Sequence, residues 1–202
     1  ETNFYTEIPV QRNYLTTIIG NVLTTATEIE VTINDNFANK DNEYYVFEAF
    51  VNGGEVTLDR DYEIGRPLYV KEGVKATLNL NGHSIINTNK TAEYGEGEGI
   101  VVYGDLTING EGTIQGCTRA IWARGNGGNA KVTINGGTYK GCEDGFAEGG
   151  CSVIYASGNN VIDIYGGTFE ALSADKTSYA NKTEGVYAAL NVYDNGGMIN
   201  VY

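Results

Sequence analysis

Carboxylates gather in three stretches of this chain. The first is Glu93-Tyr-Gly-Glu-Gly-Glu98; the second sets Glu143, Asp144 and Glu148 around Phe146; the third holds Glu170, Asp175 and Glu184 with Tyr179. Calcium takes about six to eight oxygen ligands, several of them from carboxylates. Glu93, Glu96, Glu98, Glu143 and Asp144 could supply such ligands, although the Asp-x-Asp-x-Asp-Gly spacing of a calcium loop is absent. The competing account is a solvated acidic rim. Calcium is therefore the one ion to look for, and no other cofactor is expected. Aromatic residues mark the same stretches. Tyr94, Phe146 and Tyr179, with Trp122 and Arg124, are the candidate ligand-binding residues. Aromatic rings at loop tips offer flat apolar faces on which a sugar can stack. Against that, Trp122 could cap the core while the tyrosines merely line the rim.

Polysaccharide cleavage needs paired carboxylates, or calcium-binding carboxylates with a base, on outward strand positions. The outward positions of the repeated strand are expected at Asn79, Thr107, Thr133, Asp163 and Asn200, and only one of these is a carboxylate. Asp163 with Arg124 is not an acid–base pair. His83 is the sole imidazole and follows an Asn-Gly turn, where its ring is expected to bond a backbone carbonyl. Asn81, Asn109 and Asn135 each precede glycine and are expected to serve turn geometry. Of the three cysteines, Cys117 and Cys142 follow the repeat at like positions. They are close enough for a disulfide if successive passes stack about 4.8 Å apart, or they form a ladder of buried thiols.

These residues must be positioned by a repeat. Leu78-Asn-Leu-Asn-Gly82, Leu106-Thr-Ile-Asn-Gly110, Val132-Thr-Ile-Asn-Gly136 and Ile162-Asp-Ile-Tyr-Gly166 share one pattern, and Ile199-Asn-Val-Tyr202 is a partial fifth copy. Each is a short strand with one face buried, ended by a turn. The intervals are 28, 26, 30 and 37 residues. A stack of passes tolerates such uneven loops, whereas a closed ring of blades does not. Val56-Thr-Leu58 fits the pattern 22 residues upstream of Leu78, giving about six passes of one strand. A second strand precedes each copy, at Leu68–Val70, Ile100–Tyr103, Ala120–Ala123, Val153–Tyr155 and Ala189–Val192. A third follows each glycine. Leu80, Ile108, Ile134, Ile164 and Val201 are expected in one inward column, and Ile85, Ile114, Tyr139 and Phe169 in another. Three short strands per pass of about 25 to 30 residues specify an all-β fold: a right-handed single-stranded parallel β-helix of about five to six coils. The 28 glycines and two prolines fit many tight turns.

The stretch Asn52-Gly-Gly-Glu-Val-Thr-Leu58 through Leu78-Asn-Leu-Asn-Gly-His83 resembles the opening of pectin-lyase-like β-helix domains. The resemblance covers residues 46–202 and implies the fold, not a reaction, since that fold carries lyases, hydrolases, adhesins and tail spikes alike. Residues 1–45 differ. Pro9-Val-Gln-Arg-Asn-Tyr14 and Ile19-Gly-Asn-Val-Leu23 resemble the closing strands of fimbrillin-like domains on surface lipoproteins of Bacteroides-type bacteria. The expected organisation is thus an N-terminal strand pair and cap over 1–45 and a β-helix over 46–202. A short helix is expected within 41–53, capped by Asp41, turning Phe47 and Phe50 inward and ending at Gly53.

The net charge of −13 repels a phosphate backbone, so nucleic acid is not an expected partner. No segment approaches the about 20 apolar residues of a membrane helix. The long loops 87–99, 141–150 and 171–184 leave the stack at one corner and should line one edge, where binding is expected. Together these features predict a non-catalytic binding or adhesion module on the bacterial cell surface, with a glycan or surface protein held at the loop edge. The alternatives are a calcium-dependent polysaccharide lyase or hydrolase, and a structural stalk. The strand at Val201-Tyr202 leaves an open sheet edge, which predicts end-to-end self-association or further chain.

Overall fold

Alternation of aliphatic and small polar residues, interrupted by glycine, folds this chain into parallel β-sheets. The computed structural model describes residues 47–89, 96–141, 152–171, 188–193 and 196–202. Two compact units divide the chain, Glu1–Asp35 and Asn36–Tyr202, and every described residue belongs to the second.

The described residues of the second unit are all-β apart from one helical turn and one 3-10 turn. A nine-stranded, strongly curled sheet contains β1 (Gly54–Thr57), β2 (Tyr62–Ile64), β4 (Lys75–Asn79), β5 (Ser84–Asn87), β7 (Asp105–Asn109), β8 (Thr113–Gln115), β10 (Lys131–Lys140), β12 (Val161–Glu170) and β14 (Met198–Val201). A five-stranded sheet runs in the order β13 (Ala188–Tyr193), β11 (Ser152–Ser157), β9 (Ile121–Ala123), β6 (Ile100–Val102) and β3 (Leu68–Val70). Every pairing is parallel, so each strand lies beside its counterpart from the next pass of the repeat.

Register turns the repeat into columns. Val56, Leu78, Ile108, Ile134, Ile164 and Val201 are successive partners across the curled sheet. Leu78 through Ile164 are buried. Tyr62, Ile85, Ile114, Tyr139 and Phe169 form the second column, the last four in the expected order. Leu68, Ile100, Ile121, Ile154 and Leu190 form a third, on the five-stranded sheet. All three contribute to one continuous hydrophobic core.

One column differs from the sequence expectation. Leu78, not Leu80, stands beside Ile108, a shift of two residues in the first copy of the repeat. The bend between the two columns explains it. Seven residues separate Leu78 from Ile85, six separate Ile108 from Ile114, and five separate Ile134 from Tyr139. The longer first bend accommodates Asn81 at φ 51° and Gly82 at φ 84°. Leu80 is left at the corner, fully buried. It lies where a side chain on Gly112 or Gly137 would sit, 2.8 Å from the Cβ position of each. Glycine at those corners is therefore a packing requirement.

α1 (Ala49–Asn52) is shorter than the helix expected within 41–53; Asp41 lies outside the described residues. Gly53, at φ 84°, ends it by donating its N–H to Ala49 O at 2.8 Å. Phe47 and Phe50 are buried in the core as expected, and Phe47 meets Tyr62 edge-on at 5.4 Å. The thiol of Cys117 donates to Asn87 O at 3.3 Å, while Cys142 lies outside the described residues. No helix among the described residues is long and apolar enough to cross a membrane.

Candidate functional site

Strand alternation exposes a second set of columns on the outer face of the five-stranded sheet. Tyr69, Val101, Trp122, Tyr155 and Asn191 are register partners from β3 to β13. Their neighbours on each strand point into the core, so this column points away from it. Two residues further along lie Tyr103, Arg124, Ser157 and Tyr193. Rings from the two columns interlock. Tyr69 stacks on Tyr103 at 6.4 Å, Trp122 meets Tyr155 edge-on at 5.8 Å, and Tyr155 stacks on Tyr193 at 6.4 Å. Tyr103 also packs against the cluster of Val101, Trp122 and Tyr155, so the rings, with Val101 between them on β6, make a band about 19 Å long at four strand spacings.

Guanidinium groups hold the band's centre. Arg124 lies 4.3 Å over the Trp122 ring, and Arg119 lies 4.8 Å from Trp122 and 4.5 Å from Tyr155. The Trp122 indole N–H donates to Ser157 Oγ at 2.9 Å. Arg119 is itself fixed by Glu98, 2.9 Å from Nη1 to Oε1, with both side chains buried. Asn87 positions the segment that delivers Glu98, donating to Glu98 O at 2.7 Å and to Glu96 O at 3.0 Å. Trp122 and Val101 are consequently sealed, at 2% and 1% exposure. The accessible aromatic surface lies at the two ends, with Tyr69 42% and Tyr193 63% exposed. Burial, followed by the nearby Glu96 and Glu98, raises the pKa of the Tyr69 phenol, which keeps it a neutral donor.

The sequence candidates fall into two groups. Trp122 and Arg124 come together on this sheet face, with Trp122 inside a strand and not at a loop tip. Tyr94, Phe146, Tyr179, Glu93, Glu143 and Asp144 lie outside the described residues. Glu96 is exposed, and Glu98 is committed to Arg119. Among the described residues no three His, Cys, Asp or Glu side chains converge as metal ligands would. Among the described residues the His83 ring faces a carboxylate and not the expected carbonyl: its Nδ1 is 3.6 Å from Asp61 Oδ1, which also accepts from Ser84 N.

Asp163 and Arg124 stand on different sheets. Asp163 continues the outward column Thr77, Thr107, Thr133, with Thr77 in the place expected for Asn79 because of the same two-residue shift, and its carboxylate accepts from Asn200 Nδ2 at 2.8 Å and pairs with Lys131 Nζ at 3.2 Å. The Asn200 amide, and then Lys131, lower its pKa. A depressed carboxylate stabilises the fold fully above its unfolded pKa of about 3.9, and that contribution disappears as pH falls through the lower folded value. Asp163→Asn should therefore be less stable than the parent at pH 7, with the gap closing towards pH 2; urea titrations across that range would show it. An unchanged gap at every pH would contradict the pairing.

Two features escaped the sequence reading. Asn109 and Asn135 do more than make turns. Asn135 Nδ2 donates to Asn109 Oδ1 at 2.8 Å, Asn109 Nδ2 donates to Asn79 Oδ1 at 2.9 Å, and Asn79 reaches Thr57 Oγ1 at 3.1 Å. The recurrence of one amide per pass was the available signal. The other feature is the band itself. Tyr69 and Tyr155 sat in segments recognised as strands, yet nothing in their spacing marked them as neighbours of Trp122.

Residues 1–78 match a family of unknown function, DUF6562. The match reaches α1, β1 to β3 and most of β4, and stops before β6, β9, β11 and β13, which carry most of the aromatic band. No curated protein and no solved structure matches the chain.

Proposed function

We propose that residues 46–202 wind as a right-handed single-stranded parallel β-helix serving as a non-catalytic binding and adhesion module on the bacterial cell surface. Its ligand, a glycan or a surface protein, lies on the aromatic band. In this account the stacked passes form a stiff support and the outer face of the five-stranded sheet is the recognition surface. The observation that carries the proposal is the continuity of the band: Tyr69 stacks on Tyr103, Tyr103 packs against the cluster of Val101, Trp122 and Tyr155, and Tyr155 stacks on Tyr193, with exposed tyrosines at both ends. Parallel pairing in every pass supports the finer architecture, and the resemblance of residues 1–45 to fimbrillin-like strands supports the surface location.

An array printed with glycans and surface proteins tests the function. The parent chain should be retained on a defined subset of spots. Tyr69→Ala combined with Tyr193→Ala should weaken that retention at least tenfold, since exposed aromatic anchors contribute about 1 to 2 kcal/mol each. Equal retention of parent and variant would refute the band as the ligand face.

A further inference from the structure

The band differs in charge from the rest of the chain. The sequence holds 26 acidic and 13 basic residues. Yet the outward positions of the five-stranded sheet are Tyr69, Val101, Trp122, Tyr155 and Asn191, then Tyr103, Arg124, Ser157 and Tyr193, with no carboxylate among them. Lys71, exposed, follows β3 at the same end as Tyr69. Arg119 has its charge matched by Glu98. Arg124 is different. Among the described residues no carboxylate pairs with it, and its guanidinium carbon lies 4.3 Å from the centre of the Trp122 ring.

We infer that the band takes an acidic, extended segment of a partner protein, with Arg124 as the anchor for a partner carboxylate. The inference rests on the band being the ligand face. A guanidinium laid on an indole keeps its N–H edge free and oriented, and that edge matches a carboxylate in two parallel hydrogen bonds. Ser157 Oγ takes the Trp122 N–H and donates to Ala123 O. The Arg124 guanidinium is the band's cationic donor, and a partner carboxylate meets it by charge as well as by hydrogen bonding, which a neutral glycan hydroxyl does not. Tyr and Arg together are also the residues that dominate protein–protein recognition. The distance from Tyr69 to Tyr193 spans four strand spacings, about 19 Å, the reach of about six extended residues.

Three immobilised probes separate the occupants in biolayer interferometry of the full chain: a random Glu-Tyr copolymer, polygalacturonate and dextran. The copolymer should bind tightest. Its affinity should fall at least tenfold in Arg124→Gln, recover in part in Arg124→Lys, and weaken as salt rises. Lys71→Gln, at an exposed position, should lower it less and provides a second variant should Arg124→Gln fail to fold. Binding to polygalacturonate as tight as to the copolymer would overturn the protein partner while leaving the band in place. Retention on dextran alone, indifferent to Arg124→Gln, would overturn the charge argument. Failure to bind the copolymer would overturn the inference outright, and the array above would then judge the band separately.

Discussion

Ile134→Ala should lower stability by about 3 to 4 kcal/mol, the middle of the range for emptying a buried aliphatic site. Ile134 is fully buried, with Ile108 and Ile164 as register partners on either side. Neighbours in a parallel stack are held by their own backbone ladders, so they cannot collapse into the cavity. Thr133→Ala, one residue away on the outward face, should change stability by about 0.5 kcal/mol or less. Urea midpoints for the two variants test the alternation directly. Similar losses at both positions would mean that the strand does not present one face to the core.

Glu98→Ala should cost a similar amount, about 3 to 5 kcal/mol, because it removes the carboxylate paired with the buried Arg119 charge. Glu98 Oε2 has no hydrogen-bond partner among the described residues, so the pair as a whole does not favour the fold strongly. Exchanging both residues for apolar ones of similar size, Glu98→Leu with Arg119→Met, should therefore recover most of the loss. A double-mutant cycle in urea measures that coupling. Two single losses that simply add would show that Arg119 does not depend on Glu98. Arg119 also lies against Trp122 and Tyr155. Glu98→Ala should consequently loosen the centre of the band and change the Trp122 fluorescence, which the double exchange should restore only in part.

Much of the architecture was legible because spacing alone sets it. Val56 and Leu78, Leu106 and Val132, Val132 and Ile162, and Ile162 and Ile199 are register partners at the intervals the repeat implies, once uneven loops are allowed. Leu80 defeats that logic. Its motif looks identical to the others, but the length of the following bend sets the register, and bend length follows from where Asn81 and Gly82 turn the chain. The aromatic band was illegible for a related reason. Tyr69, Trp122, Tyr155 and Tyr193 are neighbours only through loops of unequal length, so their column exists only once register is known. Trp122 and Arg124 were nameable because they are close in sequence and unusual in type. Arg119 was not, and Glu98 was named only as a calcium ligand, since a carboxylate in an acidic stretch gives no sign that it will be buried against a distant guanidinium.

A comparison between the two outer faces decides whether ligand recognition belongs to the band. Tyr165 and Tyr202 also stack and are also exposed, but they lie on the curled sheet, 4.6 Å apart. Attachment of coated beads to a ligand-bearing surface can be counted for Tyr69→Ala/Tyr193→Ala and for Tyr165→Ala/Tyr202→Ala, each with its urea midpoint recorded. Attachment should fall at least tenfold in the first pair and stay near the parent in the second. Loss in the second pair with retention in the first would place recognition on the other sheet and remove the basis for assigning it to Trp122, Arg124 and their neighbours.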